Sequence, residues 1–91
     1  MAAAEYLVEF FGTIFFVFVV LKTGSPWAIG AALALAVWVG GPISGGNFNP
    51  AVAFASYASG RLSGAKAIYY TLCEIAGAAV AVKLNQITPK L

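Results

Sequence analysis

Three features of this sequence combine residue types and settings able to do chemistry: Glu9, Glu74 and the dipeptide Asn49-Pro50. Both glutamates lie inside long apolar runs, where an ionisable group is costly enough to point to a site. Around them the usual reactive partners are missing. The chain has no His, and its single Cys, Cys73, reads as a small apolar filler. Imidazole acid–base chemistry, His metal sites and an intrachain disulfide are excluded, and no nucleophile–base pair, phosphate loop or metal-ligating cluster can be assembled. The expectation is no enzyme, no cofactor and no metal. A net charge of +2, dispersed along the chain, does not suggest nucleic acid as a partner.

Asn49-Pro50 belongs to the stretch Ser44-Gly45-Gly46-Asn47-Phe48-Asn49-Pro50-Ala51-Val52-Ala53. Its glycines permit a sharp turn. Asn49 is a strong N-cap residue, and Pro50 suits the first helical position. The spacing predicts an irregular segment and then a helix of about 9 residues, ended near Gly60. Such a helix is about 14 Å long, half the thickness of a bilayer's hydrocarbon layer.

The elements that must position these residues are apolar helices. With 62% hydrophobic and 9% charged residues, the 91-residue chain is too apolar for a soluble domain and reads as a multi-pass integral membrane protein. Spans are expected at about 4–22, 27–43 and 65–84, with a re-entrant loop and half-helix at about 44–59. The first span lacks a basic flank before it and reads as uncleaved rather than as a secretory signal. Lys22 to Pro26 form a turn, Trp27 suits an interface, and Gly40-Gly41-Pro42 is expected to end the second span. Gly30 and Ala34 offer a small-residue pair for close helix contact. Tyr69 and Tyr70 lie near one end of the third span, and Lys83 can snorkel at the other.

The Asn49-Pro50-Ala51 box, with Ser44-Gly45-Gly46 before it and Val52 after it, resembles the first Asn-Pro-Ala box of the aquaporin, or major intrinsic protein, family. Glu9-Phe10-Phe11-Gly12-Thr13 is similar to the family's first-helix signature. Glu74-Ile75-Ala76-Gly77-Ala78 resembles its Gln-x-x-Gly-Ala pattern, with Glu in place of Gln. The resemblance implies an all-α membrane fold of three transmembrane helices plus one re-entrant half-helix, half of an aquaporin-like fold. Residues 1–91 form a single half-repeat in this reading. It further implies that Glu9 accepts hydrogen bonds from the loop's N–H groups and that Glu74 braces the loop a second time. The residues alone leave other readings open: a Glu9 that snorkels to headgroups, and a Glu74 that is a proton or cation site.

One half-repeat leaves the loop facing lipid, which is prohibitive. The expected completion is an inverted second copy, a homodimer with its axis in the membrane plane. Arg61 and Lys66 flank the membrane on one side and Lys22, Lys83 and Lys90 on the other, so the orientation bias is weak. The family's four-pore arrangement would take eight such chains. The expected function is a passive channel for water and small neutral, glycerol-like solutes. Paired Asn49 amides would stand at its centre, reached by the carbonyls from Gly45 through Gly46 and Asn47 to Phe48. By family position Ile29, Val37, Gly46 and Val52 line the constriction. Val52 stands where the second box of the family is followed by Arg, and Asn47 stands where many members carry His. The rivals are a small dual-topology proton-coupled transporter driven by a buried glutamate, and a holin-like membrane oligomer.

Overall fold

The computed structural model describes residues 2–90, and among them every regular element is a helix. In order they are α1 (Ala2–Thr23), α2 (Pro26–Ser44), α3 (Pro50–Ala58) and α4 (Gly64–Ile87). α1, α2 and α4 are long and apolar enough to cross a membrane, and α3 has 9 residues. The expected all-α architecture, three helices able to cross a membrane and one half-length helix, is what the chain adopts.

α1 is the centre of the bundle, packed against α2 on one side and α4 on the other. The α1–α2 link is short. Gly24 has φ +58°, Ser25 caps α2 by accepting from the Ala28 N–H at 3.3 Å, and Pro26 takes the first helical position. This reversal makes α2 antiparallel to α1. α4 runs parallel to α1, as contacts at both ends show. At one end Lys66 pairs with Glu5 at 3.1 Å, and the Tyr6 ring meets the edges of Tyr69 and Tyr70 at 5.9 and 5.7 Å. At the other end the Lys22 ammonium donates to the carbonyls of Asn85, Thr88 and Pro89, capping the negative end of α4.

Small residues set the helix spacing. Buried positions on α2 recur every four residues as Ala32, Ala36, Gly40 and Ser44, and those on α4 are Tyr70, Glu74, Gly77 and Ala81. Between helices in lipid the attraction is close van der Waals packing, because lipid tails are as apolar as the side chains. A Cβ on Gly77 would lie 2.6 Å from the Phe10 carbonyl oxygen, and one on Gly40 would lie 2.6 Å from Val8 Cγ1. The pair Gly30 and Ala34 does not make such a contact. Both are exposed, and nothing lies within 4 Å of a Cβ built on Gly30.

Gly40-Gly41-Pro42 does not end α2, which continues to Ser44. Pro42 deprives only the Trp38 carbonyl of its donor, and its fixed φ is compatible with a helix. The stop is Gly45, at φ +90°, whose N–H donates back to the Gly41 carbonyl at 2.8 Å. Outward-facing side chains are apolar and large, among them Trp27, Trp38, Phe54 and Phe11, as a lipid-facing surface requires.

Candidate functional site

The site is the five-residue connection from Gly45 to Asn49, which carries the chain from the end of α2 back into α3 at the level of Glu9. Gly45, Gly46 and Phe48 all have positive φ, at 90°, 66° and 54°. For phenylalanine that is an uncommon and strained conformation. Two contacts hold it there. The Phe48 N–H donates to Glu9 Oε1 at 2.8 Å. Its ring, 2% exposed, occupies the space that a Cβ on Gly12 would need and comes within 3.0 Å of one on Gly40.

Glu9 is fully buried and accepts three hydrogen bonds. Besides Phe48 it receives the Asn47 N–H at 3.1 Å and the Ser44 hydroxyl at 2.6 Å, both on Oε2. The Gly46 N–H donates to Ser44 Oγ at 3.1 Å. Thus the N–H groups of Gly46, Asn47 and Phe48 all turn toward α1 and the end of α2. In a trans peptide the N–H and the preceding carbonyl point in opposite directions. The carbonyls of Gly45, Gly46 and Asn47 therefore face away from Glu9. None of these three, nor the Phe48 carbonyl, accepts a hydrogen bond among the described residues.

The loop is tied to α3 and α4 as well. Ser56 on α3 donates to Asn47 Oδ1 at 2.8 Å, and the Tyr70 hydroxyl donates to the Ser44 carbonyl at 2.8 Å. Glu74 is fully buried with neither carboxyl oxygen hydrogen-bonded among the described residues, and it has Glu9 and the Asn49 backbone N–H beside it.

Asn49 caps α3. Its backbone is extended at φ −159°, and its Oδ1 accepts from the Ala51 N–H at 2.8 Å. Its NH2 group donates to nothing among the described residues. Asn49, Pro50 and Ala51 are all exposed, at the positive end of the α3 dipole. Of the other positions expected to line a passage, Val37 and Gly46 come together: a Cβ on Gly46 would be 3.3 Å from Val37 Cα. Ile29 stands on the same helix as Val37, eight residues and about 12 Å further along the axis. Val52, in the first turn of α3, is 43% exposed.

From the sequence alone Ser44, Tyr70, Gly12 and Gly77 carry no site role, and Gly40 only that of ending the second span. Ser44 and Tyr70 share a signal that could have found them. Ser44 follows Gly40 by four residues, and Tyr70 precedes Glu74 by four, which puts each on the buried face of its helix. Of the adjacent tyrosines only Tyr70 is buried, whereas Tyr69 is 53% exposed.

Comparison with known proteins gives a consistent picture. The family described as Major intrinsic protein matches residues 1–90. Glycerol uptake facilitator protein-like 6 of Lactiplantibacillus plantarum is 45% identical over 86 residues, covering 85% of this chain and 40% of that protein. Lens fiber major intrinsic protein of Lithobates pipiens is 39% identical over 94 residues, covering 89% and 36%. Probable aquaporin TIP1-2 of Oryza sativa subsp. japonica is 45% identical over 56 residues, covering 62% and 22%. The chain thus spans well under half the length of these relatives.

Proposed function

The chain belongs to the major intrinsic protein family, and on that premise we propose that it supplies one half of a passive membrane channel for water and small neutral, glycerol-like solutes. The observation that carries this reading is the exposed tip of α3. There, among the described residues, the Asn49 NH2 is free, and the unpaired carbonyls of Gly45 to Phe48 lead up to it. Acceptors along a path and a donor at its end suit a chain of water or hydroxyl groups, with no charge to bind and no covalent step to perform. The names of two relatives, a glycerol uptake facilitator-like protein and a probable aquaporin, support the same solute class.

The second half is an inverted copy of this chain. α3 is half the length of a span and its polar tip is uncovered, so a second half-repeat must meet it. Two inverted copies would bring the positive ends of two α3 helices together, a field unfavourable to cations. The wide separation of Ile29 from Val37 along α2 supports a constriction shared between copies, with Ile29 of one facing Val37, Gly46 and Val52 of the other. None of the four positions carries a charged donor, which favours glycerol-like solutes beside water.

Vesicles containing the protein should shrink rapidly in an osmotic jump, and Asn49→Leu should abolish the effect while inserting normally. Unchanged shrinkage in that variant would remove Asn49 from the mechanism. Labelling of the C-terminus from both faces of sealed vesicles tests the inverted copy, and one-sided labelling would require a different second half.

A further inference from the structure

Glu9 and Glu74 are both fully buried, and they lie at one level of the parallel α1–α4 pair. The register is fixed on either side of them. Tyr6 packs against Tyr70 at 5.7 Å on one side, and Gly77 abuts the Phe10 carbonyl on the other. The two side chains differ sharply in their partners. Glu9 accepts three hydrogen bonds, two on Oε2 and one on Oε1. Glu74 has no partner for either oxygen among the described residues, although Glu9 and the Asn49 N–H lie beside it.

Among the described residues no cation reaches this pair to balance a second negative charge. Lys66 is engaged with Glu5 at one end of the bundle and Lys22 with the α4 carbonyls at the other, while Arg61, Lys83 and Lys90 are exposed. The other titratable groups nearby are Tyr70 and Cys73 on α4, with Glu5 and Tyr6 further out on α1. Tyr70 already donates to the Ser44 carbonyl. The α2 end and the loop present Ser44, Asn47, Phe48 and Asn49, none of which titrates. Two adjacent carboxylates away from water, one of them without partners, are not sustainable, because each penalises ionisation of the other.

We propose that Glu9 and Glu74 form a proton-binding site, in which Glu74 carries one proton, donates it in a hydrogen bond to Glu9, and accepts from the Asn49 N–H with its other oxygen. The N–H groups of Asn47, Phe48 and Asn49 then all end on the two acid side chains, and the proton is the link that ties the tip of α3 to α4. In alkaline solution the Glu74 O–H bond breaks and the proton passes to hydroxide, forming water. Two adjacent anions remain, their repulsion parts α4 from the loop, and the tip of α3 loses its brace. The site itself does not depend on the channel reading, which enters only through the permeability measurement below.

The test uses the full chain in lipid vesicles. At neutral pH the infrared spectrum should contain the C=O stretch of a buried protonated carboxyl, absent in Glu74→Gln and retained in Glu5→Gln. A glutamine at position 74 donates to Glu9 and accepts from Asn49 as the acid does, so Glu74→Gln should keep wild-type shrinkage at neutral pH. The wild type should lose permeability reversibly in alkaline buffer, and Glu74→Gln should not. Glu74→Leu, which does neither job, should be impaired at every pH. Absence of a Glu74-dependent carboxyl band overturns the proposal whether or not the vesicles conduct. So does an equal alkaline loss in Glu74→Gln, a requirement for sodium that choline does not meet, or gradient-driven uptake that Glu74→Gln abolishes.

Discussion

Gly77→Ala is the most discriminating perturbation of the fold, because a single methyl meets backbone rather than a movable side chain. The new Cβ would lie 2.6 Å from the Phe10 carbonyl oxygen, 3.2 Å from Thr13 Cβ and 3.4 Å from the Ile14 nitrogen. Relief requires α1 and α4 to separate by about 0.8 Å at this level, taking 3.4 Å as the limit of ordinary contact. Overpacking of this kind costs about 1–3 kcal/mol. The gain in helix propensity from glycine to alanine, about 1 kcal/mol, offsets only part of it. The same separation stretches the Tyr70–Ser44 hydrogen bond from 2.8 Å past the range in which it is useful. Gly30→Ala is the matched control, with the same propensity gain and nothing within 4 Å. Thermal unfolding in detergent should therefore place Gly77→Ala below wild type and Gly30→Ala at or above it. Osmotic shrinkage should fall in the first and persist in the second. Equal melting of the two variants would refute the claim that close backbone contact at Gly77 sets the α1–α4 spacing.

Two further outcomes follow from the loop and the constriction. Glu9→Leu leaves the N–H groups of Asn47 and Phe48 without an acceptor and the Ser44 hydroxyl with only the Gly40 carbonyl at 3.4 Å. At about 1–3 kcal/mol for each of the two orphaned N–H groups, it should destabilise by at least about 2 kcal/mol, read as loss of cooperative unfolding and new protease cleavage near Gly46. Val52→Arg adds a long charged donor to an exposed position beside the tip of α3. It should lower glycerol permeability several-fold more than water permeability in vesicles, and an unchanged ratio would take Val52 out of the constriction.

What could be read from the sequence was what is locally encoded. The half-helix was visible because Asn49 and Pro50 carry their start signal in their own side chains, and α3 begins at Pro50 with Asn49 as its cap. The long helices were visible from apolar length alone. What escaped depends on which face of a helix meets another. Gly30 and Ala34 have the right spacing for close contact, but so do Ala32, Ala36 and Gly40, and only the latter set lies on the α1 side. Tyr69 and Tyr70 are adjacent and alike and both meet Tyr6, yet a rotation of about 100° per residue leaves Tyr69 exposed and buries Tyr70 against Ser44. The passage of α2 through Gly40-Gly41-Pro42 is a tertiary effect. The buried stripe ending in Ser44 places its hydroxyl 2.6 Å from Glu9, a bond that rewards one more turn of helix against the local breakers.

The choice of acid for the inner brace has a consequence on the opposite face of the loop. A carboxylate accepts and never donates, so Glu9 can satisfy donors only. With the N–H groups of Asn47 and Phe48 drawn to Glu9 and that of Gly46 to Ser44, peptide planarity turns the matching carbonyls outward. Bare carbonyls facing hydrocarbon would cost several kcal/mol each, so that face has to meet water or another polypeptide. An inner glutamine could satisfy the loop with one carbonyl turned inward, and the outward row would be broken. The buried acid therefore does more than hold the loop to α1. By taking only donors it leaves an uninterrupted row of acceptors on the side where a solute would pass, and it makes the loop's stability inseparable from a wet, covered neighbour.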